Sequence, residues 1–110
     1  MNTQRRRLLI AAGSAVLVVA PAFRANAAPA THTIEIDAFE FKPATLSVKR
    51  GDVVRWHNAD PVPHTVTAKG TFDSSSIAAG ATWQYTAAKN GRFDYVCAFH
   101  PTMKATLVVE

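Results

Sequence analysis

Apolar and polar side chains alternate with a period of two in one short segment after another between Thr33 and Val109, and no helical period survives for more than a few residues. Ile34 and Ile36 alternate with Thr33, Glu35 and Asp37; Leu46 and Val48 follow Pro43; Val54 and Trp56 alternate with Val53, Arg55 and His57. The pattern returns in Trp83 and Tyr85, then in Phe93, Tyr95 and Cys97, and last in Ala105, Leu107 and Val109. Such alternation belongs to half-buried strands, because successive residues of a strand point to opposite faces. Turn-forming clusters separate the runs: Arg50-Gly51-Asp52, Asp60-Pro61-Val62-Pro63, the loop from Gly70 to Gly80, and Asn90-Gly91. The expected fold is therefore all-β, a small Greek-key sandwich or barrel of seven to eight strands. With 110 residues there is room for one domain only. Its core is thin: burying Trp56, Trp83, Phe93 and Tyr95 at roughly 25 cal/mol per Å² leaves it near marginal stability, so a bound metal would help.

The charge is unevenly distributed. The whole chain has 12 basic and 8 acidic residues, but Arg5, Arg6, Arg7 and Arg24 all precede residue 28 and no acidic residue does. The remainder is neutral, which removes the electrostatic footprint of a nucleic-acid-binding domain. Arg5-Arg6-Arg7, the apolar run from Leu8 to Ala20 and the small-x-small triplet Ala25-Asn26-Ala27 read as a signal peptide cleaved after Ala27, leaving a domain of residues 28–110. The apolar run is shorter than the roughly 20 residues that span a bilayer, so no stable membrane insertion is expected once the leader is removed. Gln4-Arg5-Arg6-Arg7-Leu8-Leu9 also resembles a twin-arginine export signal, and both export routes stay open. The destination expected is the bacterial periplasm.

In an oxidising compartment a lone cysteine calls for an explanation, because small exported domains usually pair their cysteines as disulfides. Burial in the core would be one. The neighbours of Cys97 suggest another: Cys97, His100 and Met103 follow each other at intervals of three, so one tight loop aims a thiolate, an imidazole and a thioether at a common point. His64, at the end of Asp60-Pro61-Val62-Pro63-His64, supplies a second imidazole. Two His and one Cys with a long axial Met form the donor set of a type 1, or blue, copper site. Taken singly, a His in a β protein is more often a surface residue than a ligand, and a Met is usually core filler. All four at these spacings rarely arise from packing alone. His32 and His57 are left outside the site; if Trp56 faces the core, His57 faces out.

At these residues the chain resembles the cupredoxins, and within them the amicyanins, pseudoazurins and plastocyanins. The matching pieces are Phe41-Lys42-Pro43, Gly51-Asp52-Val53-Val54-Arg55-Trp56-His57-Asn58, Pro63-His64-Thr65-Val66, Gly91-Arg92-Phe93-Asp94-Tyr95-Val96-Cys97 and Cys97-x-x-His100-Pro101-x-Met103. The two-residue gaps look most like amicyanin. The family usually has Asn after its first ligand His, where the side chain ties the two ligand loops together; Thr65 stands there in this chain. The resemblance implies one copper ion held by His64, Cys97, His100 and Met103, and one-electron transfer by a monomer. It also implies redox partner proteins, a dehydrogenase, cytochrome or oxidase, docking near His100 inside an apolar rim of Phe99, Pro101, Pro61, Val62 and Pro63. A donor set of four side chains leaves no open position for a substrate, so no enzymatic activity is expected. Two other classes remain: a periplasmic copper carrier or storage protein, and a metal-free structural or adhesive sandwich.

Overall fold

The computed structural model describes residues 28–110; the leader and its cleavage point, residues 1–27, lie outside the described residues. Nine strands follow in chain order: β1 (Thr31–Asp37), β2 (Glu40–Lys42), β3 (Thr45–Val48), β4 (Val53–Asn58), β5 (Thr67–Ala68), β6 (Phe72–Asp73), β7 (Thr82–Thr86), β8 (Gly91–Cys97) and β9 (His100–Val109). They form two mixed sheets, one ordered β2-β1-β4-β7 and the other β3-β9-β8-β5-β6. The parallel pairs β1/β4 and β3/β9 each lie within one sheet, and the chain between their two members crosses to the other layer and back, as in a Greek-key sandwich. The all-β sandwich expected from the alternation is the fold observed.

Two details differ from expectation. Nine strands replace seven or eight, because the segment from Gly70 to Gly80, expected as a loop, contains β6, which pairs with β5 at Thr67↔Asp73 and Ala68↔Phe72. Strands of two residues are too short for a period to show. Of the four aromatics expected in the core, Trp56 and Tyr95 are fully buried, whereas Trp83 and Phe93 are half-buried. Trp83 lies on β7, at the edge of its sheet, where one flank has no neighbouring strand.

The predicted inward positions Ile34, Ile36, Val48, Val54, Ala105, Leu107 and Val109 fill the core. Trp56 from one sheet and Tyr95 from the other meet edge to face at 5.6 Å, and the indole Nε1–H donates to the Tyr95 hydroxyl at 3.2 Å. This bond gives the buried indole its partner, and the same burial pushes the phenol well above its ordinary pKa. His57 points outward and pairs with Glu35 at 2.8 Å across β1 and β4.

Candidate metal centre

Three of the four sequence-predicted residues, His64, Cys97 and His100, converge at one end of the sandwich, and the fourth, Met103, is buried in the core. Cys97 ends β8 and His100 begins β9, so Cys97-Ala98-Phe99-His100 is a hairpin turn closed by the pair Cys97↔His100. One residue earlier Val96 pairs with Lys104, so Pro101, Thr102 and Met103 are accommodated in the register shift. The expected single loop is thus a turn followed by a bulged strand, and Met103 sits buried on that strand. A bulge re-aims side chains and breaks the strand alternation, which is why period-two reading begins again only at Ala105.

His64 reaches the same end from the other side of the sandwich. Its backbone exchanges two hydrogen bonds with Ile77, His64 N–H donating at 3.2 Å and Ile77 N–H at 2.7 Å. The loop leading to it is held by buried Asn58, whose Nδ2 donates to the carbonyls of Val62 at 2.9 Å and Ile77 at 3.0 Å, while its Oδ1 accepts from Asp60 N–H at 3.0 Å. The outcome is a fixed imidazole with no exposed surface.

The ligand atoms of His64, Cys97 and His100 lie within 4.8 Å of one another. His64 Nδ1 is 3.7 Å and His100 Nδ1 3.6 Å from Cys97 Sγ. One ion bonded to sulfur at about 2.3 Å and nitrogen at about 2.0 Å, with angles between tetrahedral and trigonal, separates the two donors by roughly 3.5–3.8 Å. The observed spacing fits a shared metal, and the soft sulfur and two imidazoles fit copper. His64 and Cys97 are completely buried; His100 is half-exposed and is the candidate ligand nearest solvent.

Thr65 performs two tasks. Its backbone N–H donates to Cys97 Sγ at 3.3 Å, and its hydroxyl accepts the Ala98 N–H at 2.7 Å. The hydroxyl therefore ties the His64 and Cys97 loops together, the function that the family's usual Asn supplies.

Sequence reasoning missed Asp60 and Phe39. Asp60 is buried, with Oδ2 at 2.7 Å from His64 Nε2. Its carboxylate also accepts the N–H groups of Ala38 at 2.7 Å and Phe39 at 2.9 Å. Burial alone would raise its pKa, but the Phe39 N–H, the His64 ring and the Ala38 N–H together outweigh it and hold the carboxyl below the usual range. Phe39 packs edge-on against both imidazoles, with ring centroids 5.0 Å from His64 and 4.8 Å from His100. The spacing of four between Asp60 and His64 was the available signal for the first; Phe39, 25 residues before His64, had none.

Comparison with known proteins agrees with this geometry. The chain is 30% identical over 118 aligned positions to amicyanin-alpha of Methylorubrum extorquens, covering 96% of this chain and 99% of that protein. It is 27% identical to amicyanin of Paracoccus denitrificans, covering 82% and 73%. The solved structure of a copper(I) form of an amicyanin methionine-to-alanine variant superposes with a TM-score of 0.69 at 27% identity, covering 73% of this chain and 82% of that one. The family model described as cupredoxin-like domain matches residues 8–109, and the chain belongs to that family.

Proposed function

We propose that this protein is a periplasmic mononuclear blue copper protein that carries single electrons between redox partners. The observation that carries the reading is the convergence of His64 Nδ1, Cys97 Sγ and His100 Nδ1, with an N–H already donated to the sulfur. Copper, when bound, supplies a one-electron couple between Cu(I) and Cu(II). His64, Cys97, His100 and Met103 would hold it. The chain's part is to keep the donors still: the Ile77 pairing, the Asn58 node and the Thr65 tie fix the ligand loops, so little rearrangement accompanies a change of oxidation state. A donor set of four side chains leaves no position for a substrate, and the reading is of a carrier, not an enzyme.

Electrons would pass through His100. Beside it in the chain Phe99 is 52% exposed and Pro101 is exposed, and on the loop that leads to His64 Pro61 and Pro63 are exposed and Val62 is half-exposed, apolar side chains suited to the small, transient contacts of redox proteins, under about 1,200 Å². Residues 1–27 would direct export and be removed, leaving residues 28–110. Mass spectrometry of the exported protein, expected to begin at Ala28, tests the leader.

Titration with one equivalent of Cu(II) tests the site. An intense visible charge-transfer band is expected, and Cys97→Ser should abolish it, since hydroxyl is a harder and weaker ligand than thiolate. A colourless wild-type protein would overturn the assignment.

A further inference from the structure

The turn between β1 and β2 is built against local preference. Ala38 and Phe39 occupy its two central positions with φ of 53° and 61°, the left-handed region in which non-glycine residues are disfavoured. Two-residue hairpin loops with positive φ at both positions ordinarily use Asn-Gly. Phe39 is moreover 45% exposed, so burial of its ring does not account for its presence. Strain held at such a place is repaid by what surrounds it, and two features surround this turn. Both of its N–H groups end on the Asp60 carboxylate, and the Phe39 ring meets both imidazoles edge-on.

We infer that Asp60 and Phe39 are positioning residues of the metal centre: the Asp60 carboxylate orients His64 and the β1–β2 turn through one hydrogen-bond node, and the turn carries the Phe39 ring against His64 and His100. The inference rests on the copper reading. A metal at His64 Nδ1 needs that nitrogen's lone pair, so Nε2 carries the proton and donates to Asp60 Oδ2. The carboxylate thereby selects the tautomer that leaves Nδ1 free and makes the imidazole a stronger donor. Its negative charge stabilises Cu(II) more than Cu(I). Phe39 acts differently. His100 is half-exposed at the end of its turn, and the Phe39 ring, edge-on to both imidazoles at about 5 Å, limits its rotation.

Three measurements test this. In the metal-free protein, 15N NMR should show His64 as the Nε2–H tautomer with a slowly exchanging proton, and Asp60→Asn should speed that exchange about tenfold or more; an unchanged rate would remove Asp60 from the account. This readout needs no copper, so a wild-type protein that takes up no metal would overturn the proposed function and leave the Asp60–His64 node to be judged by NMR. In the copper-loaded protein, Asp60→Asn should weaken Cu(II) about tenfold relative to Cu(I), equivalent to a rise in reduction potential of about 59 mV. A lowered melting temperature with an unchanged potential would mean that Asp60 only braces the turn. For Phe39 the variant is Ala38→Asn combined with Phe39→Gly, which suits the turn better and so keeps the metal-free melting temperature at or above wild type. The same variant should lose about tenfold in Cu(II) affinity and broaden the His100 ring signals of the Cu(I) protein. Wild-type affinity and line widths in that variant would reduce Phe39 to a surface residue.

Discussion

Thr65 shows how a single side chain can take over a task that a larger one performs elsewhere. The loop tie depends on its hydroxyl accepting the Ala98 N–H, while the hydrogen bond to Cys97 Sγ comes from its backbone and survives any substitution other than proline. Thr65→Val keeps the shape and removes the acceptor. The Ala98 N–H is left without its partner, and a loss of about 1 kcal/mol is expected in chemical denaturation of the metal-free protein. Thr65→Asn, with an acceptor of its own, should retain most of the stability; equal losses in the two variants would show that the tie is unimportant. Met103 permits a second test at this scale. Thioether favours Cu(I), so if it is the axial donor, Met103→Gln should lower the reduction potential while the visible band largely remains. Voltammetry decides between that role and core packing, for which an unchanged potential is expected.

At the scale of elements, β4 and β8 join the two sheets through Trp56 and Tyr95. Their aromatic contact is accompanied by one buried hydrogen bond, and the site depends on it indirectly, since Tyr95 lies two residues before Cys97 on the same strand. Tyr95→Phe conserves the ring and orphans a fully buried indole N–H. The expected cost is about 1–3 kcal/mol, read as a lower denaturation midpoint with the slope unchanged. A midpoint equal to wild type would mean that the indole finds another partner.

For the whole molecule the question is what pins the sandwich at the end away from the metal centre. Asp52 does much of it. Its carboxylate accepts the N–H groups of Ala30 at 3.0 Å and Lys49 at 3.1 Å and pairs with His32 at 2.9 Å, closing β1 onto the turn before β4. Lys49 and Glu110 line the same hollow. The hydrogen bond to His32, then those from Ala30 and Lys49, lower the pKa of Asp52 from 3.8 to about 2. Because the folded value is depressed, the stabilisation is complete above the unfolded value of 3.8 and is lost as pH falls through about 2. Asp52→Asn should therefore be less stable than wild type at pH 5, and the gap should close between pH 4 and 2. Denaturation midpoints across that range check it; a gap independent of pH would show that the charge of Asp52 is immaterial.

The alternation of Ile34, Ile36, Val54, Trp56, Tyr95, Leu107 and Val109 was sufficient for fold class and core, because strand period and burial are local properties written residue by residue. The four candidate ligands were legible for a related reason: their chemistry is uncommon, and three of them lie within seven residues. Tertiary structure decided the rest. The two-residue strand β5 forms against the edge of β8, and β6 forms against β5 in turn. Met103 moved from an expected loop onto a bulged strand because register depends on two strands at once. Phe39 came against His64 only when the β1–β2 turn was folded over it from 25 residues away in the chain, and Asp60, although four residues from His64, gained its tie to that turn in the same way. A hydrogen bond between distant segments has no period and no spacing, so only the folded chain could disclose it.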